Sequence, residues 1–324
     1  MADYKYKLID LCAGTGAFSL AFNKTKKIKI VFSNDYCKNS KKIYDLNFNH
    51  KMTFGNINEI NVNHIPEHDI LTAGFPCQSW SIAGEQKGFD DVRSNVFWSI
   101  INIMKKHKPR VVILENVKNL QSHDKGNTFK IISENITKAG YFFKYKILNT
   151  CDITKLPQNR ERIYIVCFKD KKMYEKFNFD FKKKKNKKIK DILENNINTK
   201  YYYSNRFKVW DEVKEGVKET IDKNIIYQYR RYYVRENKSN VCPTLTANMG
   251  TGGHNVPLLK DSNGIRKLIP KECFNLQGFP NNYKMPDKMS DSSLYKLAGN
   301  AVSVPVVKLI AKKVIKIMLK FDKK

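Results

Sequence analysis

A chain of 324 residues with 41% hydrophobic composition is long enough for one large core, or a large and a small one, which excludes disorder of the whole. Its 60 Lys plus Arg against 31 Asp plus Glu leave a formal charge of +29, which points to a polyanionic partner, nucleic acid first, or else reflects compositional drift toward lysine and asparagine. The seven cysteines include no C-x-x-C pair, so neither a zinc site nor a disulfide framework is expected; the opening MADYKYKLIDL lacks an apolar leader, and lysines interrupt the late apolar run VSVPVVKLIAKKVIKIML, so no membrane segment is expected.

In chain order, KLIDL, IKIVFSND, DILTAGF and RVVILEN read as buried parallel strands, because they are short apolar runs rich in β-branched residues. Between them SNVFWSIINIMKK and NTFKIISENITKAG carry apolar residues at helical spacing, and YKILN and ERIYIVCF add two further strands. This alternation predicts an α/β fold with a doubly wound, mostly parallel, Rossmann-like sheet. Near Asp180 the rhythm stops at FDFKKKKNKKIKDILENN, which sets a domain boundary; the lysine run reads as a solvated hinge, with contact to phosphate as the alternative. Helical patterning returns from Ser292 to Leu319, as a C-terminal helix folding back on the first domain. The expected division is 1–180 for the ligand-binding α/β domain, 181–283 for a smaller irregular domain, and 284–324 for the returning segment.

The turn after the first strand, DLCAGTGAF, uses Gly14 and Gly16 to turn tightly and bring backbone close to a ligand. Asp35 ends the second strand, where an acid can hydrogen-bond ribose hydroxyls, and Ser19 replaces the third glycine of a dinucleotide fingerprint, which favours a cofactor without a pyrophosphate, such as S-adenosylmethionine. A plain structural turn is the competing reading. Cys77 follows Pro76 at the end of DILTAGF, and Glu115 with Asn116 ends RVVILEN, so a thiol and a carboxyl group converge from adjacent strand ends. Such a pair suits attack on C6 of a cytosine with the carboxyl group at N3, which makes C5 able to take a methyl group. Taken alone, Cys77 reads first as a packed small hydrophobe.

The ordered set DLCAGTGAF, GFPCQSW, LENV, QNRERIYIV, KECFNLQGFP and AGNAV resembles the DNA (cytosine-5) methyltransferases of bacterial and viral modification type across nearly the whole chain. The resemblance implies that Cys77 is the nucleophile, Glu115 its partner carboxyl group, and Arg160 and Arg162 the arginines that orient the cytosine and its backbone. It further implies a cofactor site for S-adenosyl-L-methionine, with S-adenosyl-L-homocysteine as product. Its residues would be Cys12, Ala13, Gly14, Thr15, Gly16, Phe18, Asp35, Tyr36, Asn56, Ile57 and Pro76, closed by Asn300 and Ala301; no metal is implied. Asn56 stands where an aspartate is usual, Tyr36 where a tryptophan is frequent and Ala301 where many members have serine.

The same resemblance makes 181–283 a target-recognition domain on double-stranded DNA. Gln78 and Ser81 fall in the loop expected to close over the flipped base, with Gly84 and Gly88 as hinges. Arg230, Arg231 and Arg235, with Thr244 and Asn248, lie in a stretch of interleaved basic and aromatic residues suited to phosphates and base edges, whereas Tyr201 to Tyr203 serve equally well as packing. The region from Tyr233 to Leu259 resembles that of GCNGC-modifying members. A cytoplasmic monomer, with a companion restriction endonuclease, is the expected setting. The rivals are a transfer-RNA cytosine-5 methyltransferase, against which the long basic variable region stands, and a catalytically silent DNA-binding relative, which has no need of Cys77, Glu115 and Arg162. His123 reads as a loop hydrogen-bonder.

Overall fold

The computed structural model describes residues 4–76, 95–230, 232–250 and 256–323. The chain divides into two compact units, one of Met1–Leu148, Glu161–Phe181 and Val306–Lys324, the other of Asn149–Arg160 and Lys182–Pro305. Cys77, Gln78, Ser81, Gly84, Gly88 and Arg231 lie outside the described residues.

The first unit is built on a sheet whose strands are β1 (Tyr6–Leu11), β2 (Ile28–Asp35), β3 (Thr53–Phe54), β4 (Ile70–Gly74), β5 (Val111–Val117), β6 (Phe142–Asn149) and β7 (Glu161–Phe168). Among the described residues its order is β3-β2-β1-β4-β5-β7-β6. The pairs β2–β3, β1–β2, β1–β4 and β4–β5 are parallel, and β5–β7 is antiparallel. The apolar runs form central strands because both faces are covered: on one, Leu71, Val112 and Leu114 are fully buried against Phe97, Ile100 and Met104 of α3 (Asn95–His107; the helices α1, Ala17–Asn23, and α2, Lys38–Asn47, precede it) and Ile132 and Ile136 of α4 (Asn127–Lys138), and on the other, Ile70, Val111 and Ile113 are fully buried too. The chain leaves β1 toward β2 and β3 and returns on the other side to β4, so the strand order reverses between β1 and β4. That reversal is where open α/β sheets take their ligands, outside the carboxyl ends of the strands. The antiparallel β7 follows from a connection of only Thr150–Arg160 after β6, too short for a crossover helix of the βαβ kind.

The second unit carries an antiparallel sheet ordered β11-β10-β8-β9, with β8 (Ile226–Arg230), β9 (Tyr233–Asn237), β10 (Pro257–Asp261) and β11 (Gly264–Lys267). Tyr227, Tyr229, Leu258 and Ile265 from one face form a small core with Val213 and Val217. The structure places strands at Ile226–Arg230 and Tyr233–Asn237, where the sequence pattern predicted irregular chain; only YQYR shows period-two alternation. Behind the sheet, Arg266 is buried with all its charge satisfied: Nη1 and Nη2 donate to the two oxygens of Glu272, each at 2.9 Å, and Nε donates to Asp261 at 2.7 Å.

The helical pattern over Ser292–Leu319 is two helices in the structure, Asp291–Asn300 and Val304–Phe321. Pro305 has no N–H to give and is accommodated only in a first turn, so the backbone breaks ahead of it. The later helix belongs to the first unit from Val306 onward. No helix among the described residues is long and apolar enough to cross a membrane.

Candidate functional site

The carboxyl ends of β1, β2 and β3 bring most of the expected cofactor residues together. After β1 the chain turns through Cys12 (φ 51°), Gly14 (φ 54°) and Gly16 (φ 73°), closed by a 2.7 Å bond from the Gly16 N–H to the Ala13 carbonyl. Glycine is required at 16 because an added Cβ would stand 2.4 Å from the Phe48 ring. The Asp35 carboxylate sits beneath this turn, Oδ2 accepting from Gly14 N–H and Oδ1 from Cys37 N–H, both at 2.8 Å. Burial lifts the Asp35 carboxyl above the usual carboxylate range, opposed by backbone N–H groups of Cys37, Gly14 and Tyr36. Next to it the Tyr36 ring is 72% exposed, a flat surface open to stacking. Asn34 donates to the carbonyls of Thr53 and Gly55, which sets Asn56 and Ile57 beside Asp35. The Asn56 Oδ1 accepts from Asn58 N–H at 3.2 Å as the cap of a short 3-10 turn, Ile57 is buried, and Phe18 and Thr15 are buried under the loop.

At the same edge, β5 and β7 pair Glu115 with Tyr164 and Val117 with Arg162. Glu115 and Arg162 therefore share a face as diagonal neighbours, and the Arg162 Nε lies 3.3 Å from Glu115 Oε1. Both are largely buried, at 9% and 15% side-chain exposure, so the pair is weakly screened and its geometry holds the carboxyl group in place. Asn116 is buried and donates from Nδ2 to the Phe75 carbonyl at 3.0 Å, fixing the backbone two residues before Cys77. Asn116 is thus a positioning residue absent from the site residues expected from sequence; a polar pair ending an otherwise apolar strand was the available signal.

Asp10, also missed, is fully buried one turn below. It accepts from Ser19 N–H, Ser19 Oγ and Thr72 Oγ1, yet burial dominates and its carboxyl is pushed up to about 7, with Asp35 adding to the rise. A folded-state value above the unfolded one means that the protonated group stabilises the fold at low pH, and that this contribution is lost as pH rises from about 4 through about 7. Asp10→Asn keeps the shape and removes the titration. Its melting temperature should vary less between pH 5 and 8 than that of the wild type, which loses up to about 1.4 kcal/mol per pH unit from this group. Parallel melting-temperature profiles for the two proteins would contradict the assignment.

In the second unit Arg160 is engaged by its own chain. It is 2% exposed, and its guanidinium donates to the carbonyls of Leu245 (2.9 Å), Gly299 (3.0 Å) and Ala301 (2.8 Å). A fork directed at three backbone carbonyls is a clamp on its own chain, and in this structure these contacts of Arg160 are those of a positioning residue. Asn300 and Ala301 close the helix Asp291–Asn300 in this unit, with Asn300 exposed and Ala301 buried.

Four of the seven expected DNA-reading residues, Arg230, Arg235, Thr244 and Asn248, line one cleft of about 380 Å³ in the second unit, together with Gln228 and Asn237 among others; Gln78, Ser81 and Arg231 lie outside the described residues. Register explains the grouping: Gln228 pairs with Arg235 and Ile226 with Asn237, so residues two apart share a face while Tyr227 and Tyr229 take the other. Gln228 is a buried floor, whereas Arg230, Arg235 and Asn248 are exposed. Thr244 Oγ1 donates to the Asn159 carbonyl at 2.6 Å, fixing the rim. Gln228, Asn237, Thr246 and Asn159 were not anticipated; the alternation in YQYR carried Gln228 alone.

The profile of the family described as C-5 cytosine-specific DNA methylase matches residues 6–316. The type II methyltransferase M.Bsp6I of Bacillus sp. (strain RFL6) is 46% identical over 317 residues, covering 97% of this chain and 99% of that protein. The type II methyltransferase M.HaeII of Haemophilus aegyptius is 40% identical over 311 residues, covering 95% and 92%. The crystal structure of the S. pombe Dnmt2 methyltransferase matches with a TM-score of 0.74 over 96% of this chain and 98% of that one, at 18% identity, which bears on the fold alone. A carboxyl group and an arginine held together at the switch-point edge, in a chain matched from end to end, lead to one conclusion: it belongs to the C-5 cytosine-specific DNA methylase family and is a DNA cytosine-5 methyltransferase.

Proposed function

We propose that the chain methylates C5 of a cytosine turned out of a specific double-stranded DNA site, through a covalent bond from Cys77 to C6. The observation that carries this reading is the Glu115–Arg162 pair at the sheet edge, with Asn116 fixing the Phe75 carbonyl ahead of Pro76 and Cys77. As the Cys77 sulfur bonds to C6, the C5–C6 π electrons move to C5 and Glu115 holds the proton at N3. C5 is then the nucleophile for the methyl group. Loss of the C5 proton to solvent and departure of the Cys77 sulfur restore the ring. Arg162 fixes the Glu115 carboxyl group and keeps a cationic guanidinium beside the base. A stacked cytosine does not expose both faces, which is why the base must leave the duplex.

The loop from Cys12 to Phe18 with Asp35, Tyr36, Asn56 and Ile57 fits an adenosyl ligand. It offers backbone free of side chains at Gly14, where an added Cβ would meet only the Cys12 carbonyl at 3.9 Å, a carboxylate for ribose hydroxyls, an exposed ring for the base, and an amide for its edge. S-adenosyl-L-methionine bound there supplies a sulfonium-activated methyl group and leaves as S-adenosyl-L-homocysteine. Asn300, Ala301 and Pro76 complete that site in the proposal, and Gln78 and Ser81 cover the flipped base.

The second unit reads the site, here proposed as GCNGC, in a cytoplasmic monomer that works beside a restriction endonuclease. Bisulfite sequencing of DNA from cells expressing the protein tests the activity and the motif together; unconverted cytosines at one motif support it, and complete conversion everywhere rejects it. Because arginine is the commonest reader of guanine O6 and N7, Arg235→Ala should cost roughly 1–3 kcal/mol on the cognate site and relax preference at one base pair. Methylation of single-mismatch duplexes at fixed salt measures this, and an unchanged ranking of those duplexes would exclude Arg235 as a reader.

A further inference from the structure

The lysine run at the start of the second unit is not a free hinge. Seven of the nine residues from 182 to 190 are lysines and none is acidic. The backbone is pinned along this length: Lys184 N–H donates to the Asp152 carbonyl at 3.0 Å, Lys187 N–H to the Lys155 carbonyl at 2.9 Å, and Ile189 N–H to Asn224 Oδ1 at 2.6 Å. The Asn186 amide, turned to suit its neighbours, donates to the carbonyls of Cys151 and Thr154 at 2.8 and 3.1 Å. Ile189 is fully buried and closes the run. The six lysine side chains at 182–185, 187 and 188 are all exposed, as is Lys155 beneath them, and none of the seven forms an ion pair among the described residues, whereas Lys190 pairs with Asp222 at 3.4 Å.

Holding six like charges in a fixed row costs repulsion that a solvated linker would relax by moving away. The row is also too long for a small anion: an extended backbone advances about 3.3 Å per residue, so positions 182 to 188 span up to roughly 20 Å. A duplex with one charge per about 1.7 Å of axis matches such a row over about six base pairs. The segment that anchors it, Asn149–Arg160, also sends Asn159 to the cleft lined by Arg230 and Arg235, four residues beyond Lys155. The base-reading cleft and the lysine row are therefore built on one short stretch of chain.

We infer that the row from Lys182 to Lys188 is a fixed track for the phosphate backbone of duplex DNA flanking the recognition site. The inference rests on the proposed reading of the second unit as the DNA-reading one. It makes affinity depend on duplex length as well as on sequence, because a duplex that ends at the recognition site leaves the track empty.

The test compares the wild type with a variant carrying Lys182→Gln, Lys183→Gln, Lys185→Gln and Lys188→Gln, which leaves the pinned backbone and Asn186 in place; equal melting temperatures confirm that both are folded. Binding is measured as a function of salt on 12- and 30-base-pair duplexes centred on the methylated site. On the longer duplex the slope of log affinity against log salt should become less negative by about 0.9 for each phosphate that the variant no longer neutralises, roughly 2–4 in all, with affinity at least about tenfold weaker. On the shorter duplex the change in slope should stay below about 0.9, the value for a single phosphate. Equal slopes for variant and wild type on the longer duplex overturn the inference, as does an equal loss on both lengths. A loss confined to single-stranded RNA, run alongside, also overturns it. Methylation by the wild type on the same duplexes separates the two claims: without it the reading of the whole chain fails, and with it but with no slope change only the track fails.

Discussion

Cys77→Ser will lose methyl transfer while the fold and duplex binding remain. A serine hydroxyl has nearly the size of the thiol, so packing and DNA binding are preserved, but at neutral pH it is a far weaker nucleophile and the bond to C6 does not form. Removing a group that acts as one unit with its neighbours costs on the scale of roughly 10³-fold or more in turnover. Single-turnover methylation with enzyme in excess measures the loss directly, and gel-shift binding on the same duplex shows that substrate is still engaged. Turnover within tenfold of the wild type would remove Cys77 from the reaction.

Glu115→Gln is the second large effect. Glutamine preserves the volume of a side chain that is 7% exposed at the end of β5, so the sheet should hold. It cannot, however, carry the proton held at N3 while sulfur adds to C6, and it no longer offers a charge to the Arg162 Nε 3.3 Å away. Proton placement of this kind contributes about 10²–10⁴-fold, and the rate should fall within that range. The readout that separates chemistry from packing is the split between rate and affinity. A loss of duplex binding or melting temperature with an unchanged single-turnover rate would make Glu115 a structural residue only.

Most of the first unit was legible in the chain because strands buried on both faces must be largely apolar, and the run 111–114 is wholly so, with Thr72 the one polar residue of Ile70–Gly74. The polar residues that end such runs, Asp35 and Glu115, stand out for the same reason and do face the switch-point edge. What was hidden depends on distant partners. Arg160 looks like Arg162 in QNRER, but its three acceptors are Leu245, Gly299 and Ala301, and nothing local to position 160 announces them. The position of Asp10 is equally opaque, since a carboxyl group inside a strand is told from a surface one only by the Ser19 and Thr72 hydroxyls that reach it. The paired strands Ile226–Arg230 and Tyr233–Asn237 alternate only at YQYR, and their tyrosines and arginines hid them because these also suit a DNA-contacting loop. The lysine run shows the reverse: composition describes a solvated hinge, and only the backbone bonds at Lys184 and Lys187 reveal a fixed row.

The central claim is that Cys77 bonds to the cytosine ring. It is tested most directly by incubating the protein with cofactor and a duplex carrying 5-fluorocytosine at the target, then locating the trapped peptide by mass spectrometry. Fluorine at C5 blocks the elimination that frees the sulfur, so the account predicts a stable protein–DNA adduct that forms only with cofactor present and maps to Cys77. An adduct at any other cysteine, or none under conditions where unmodified duplex is methylated, would contradict it.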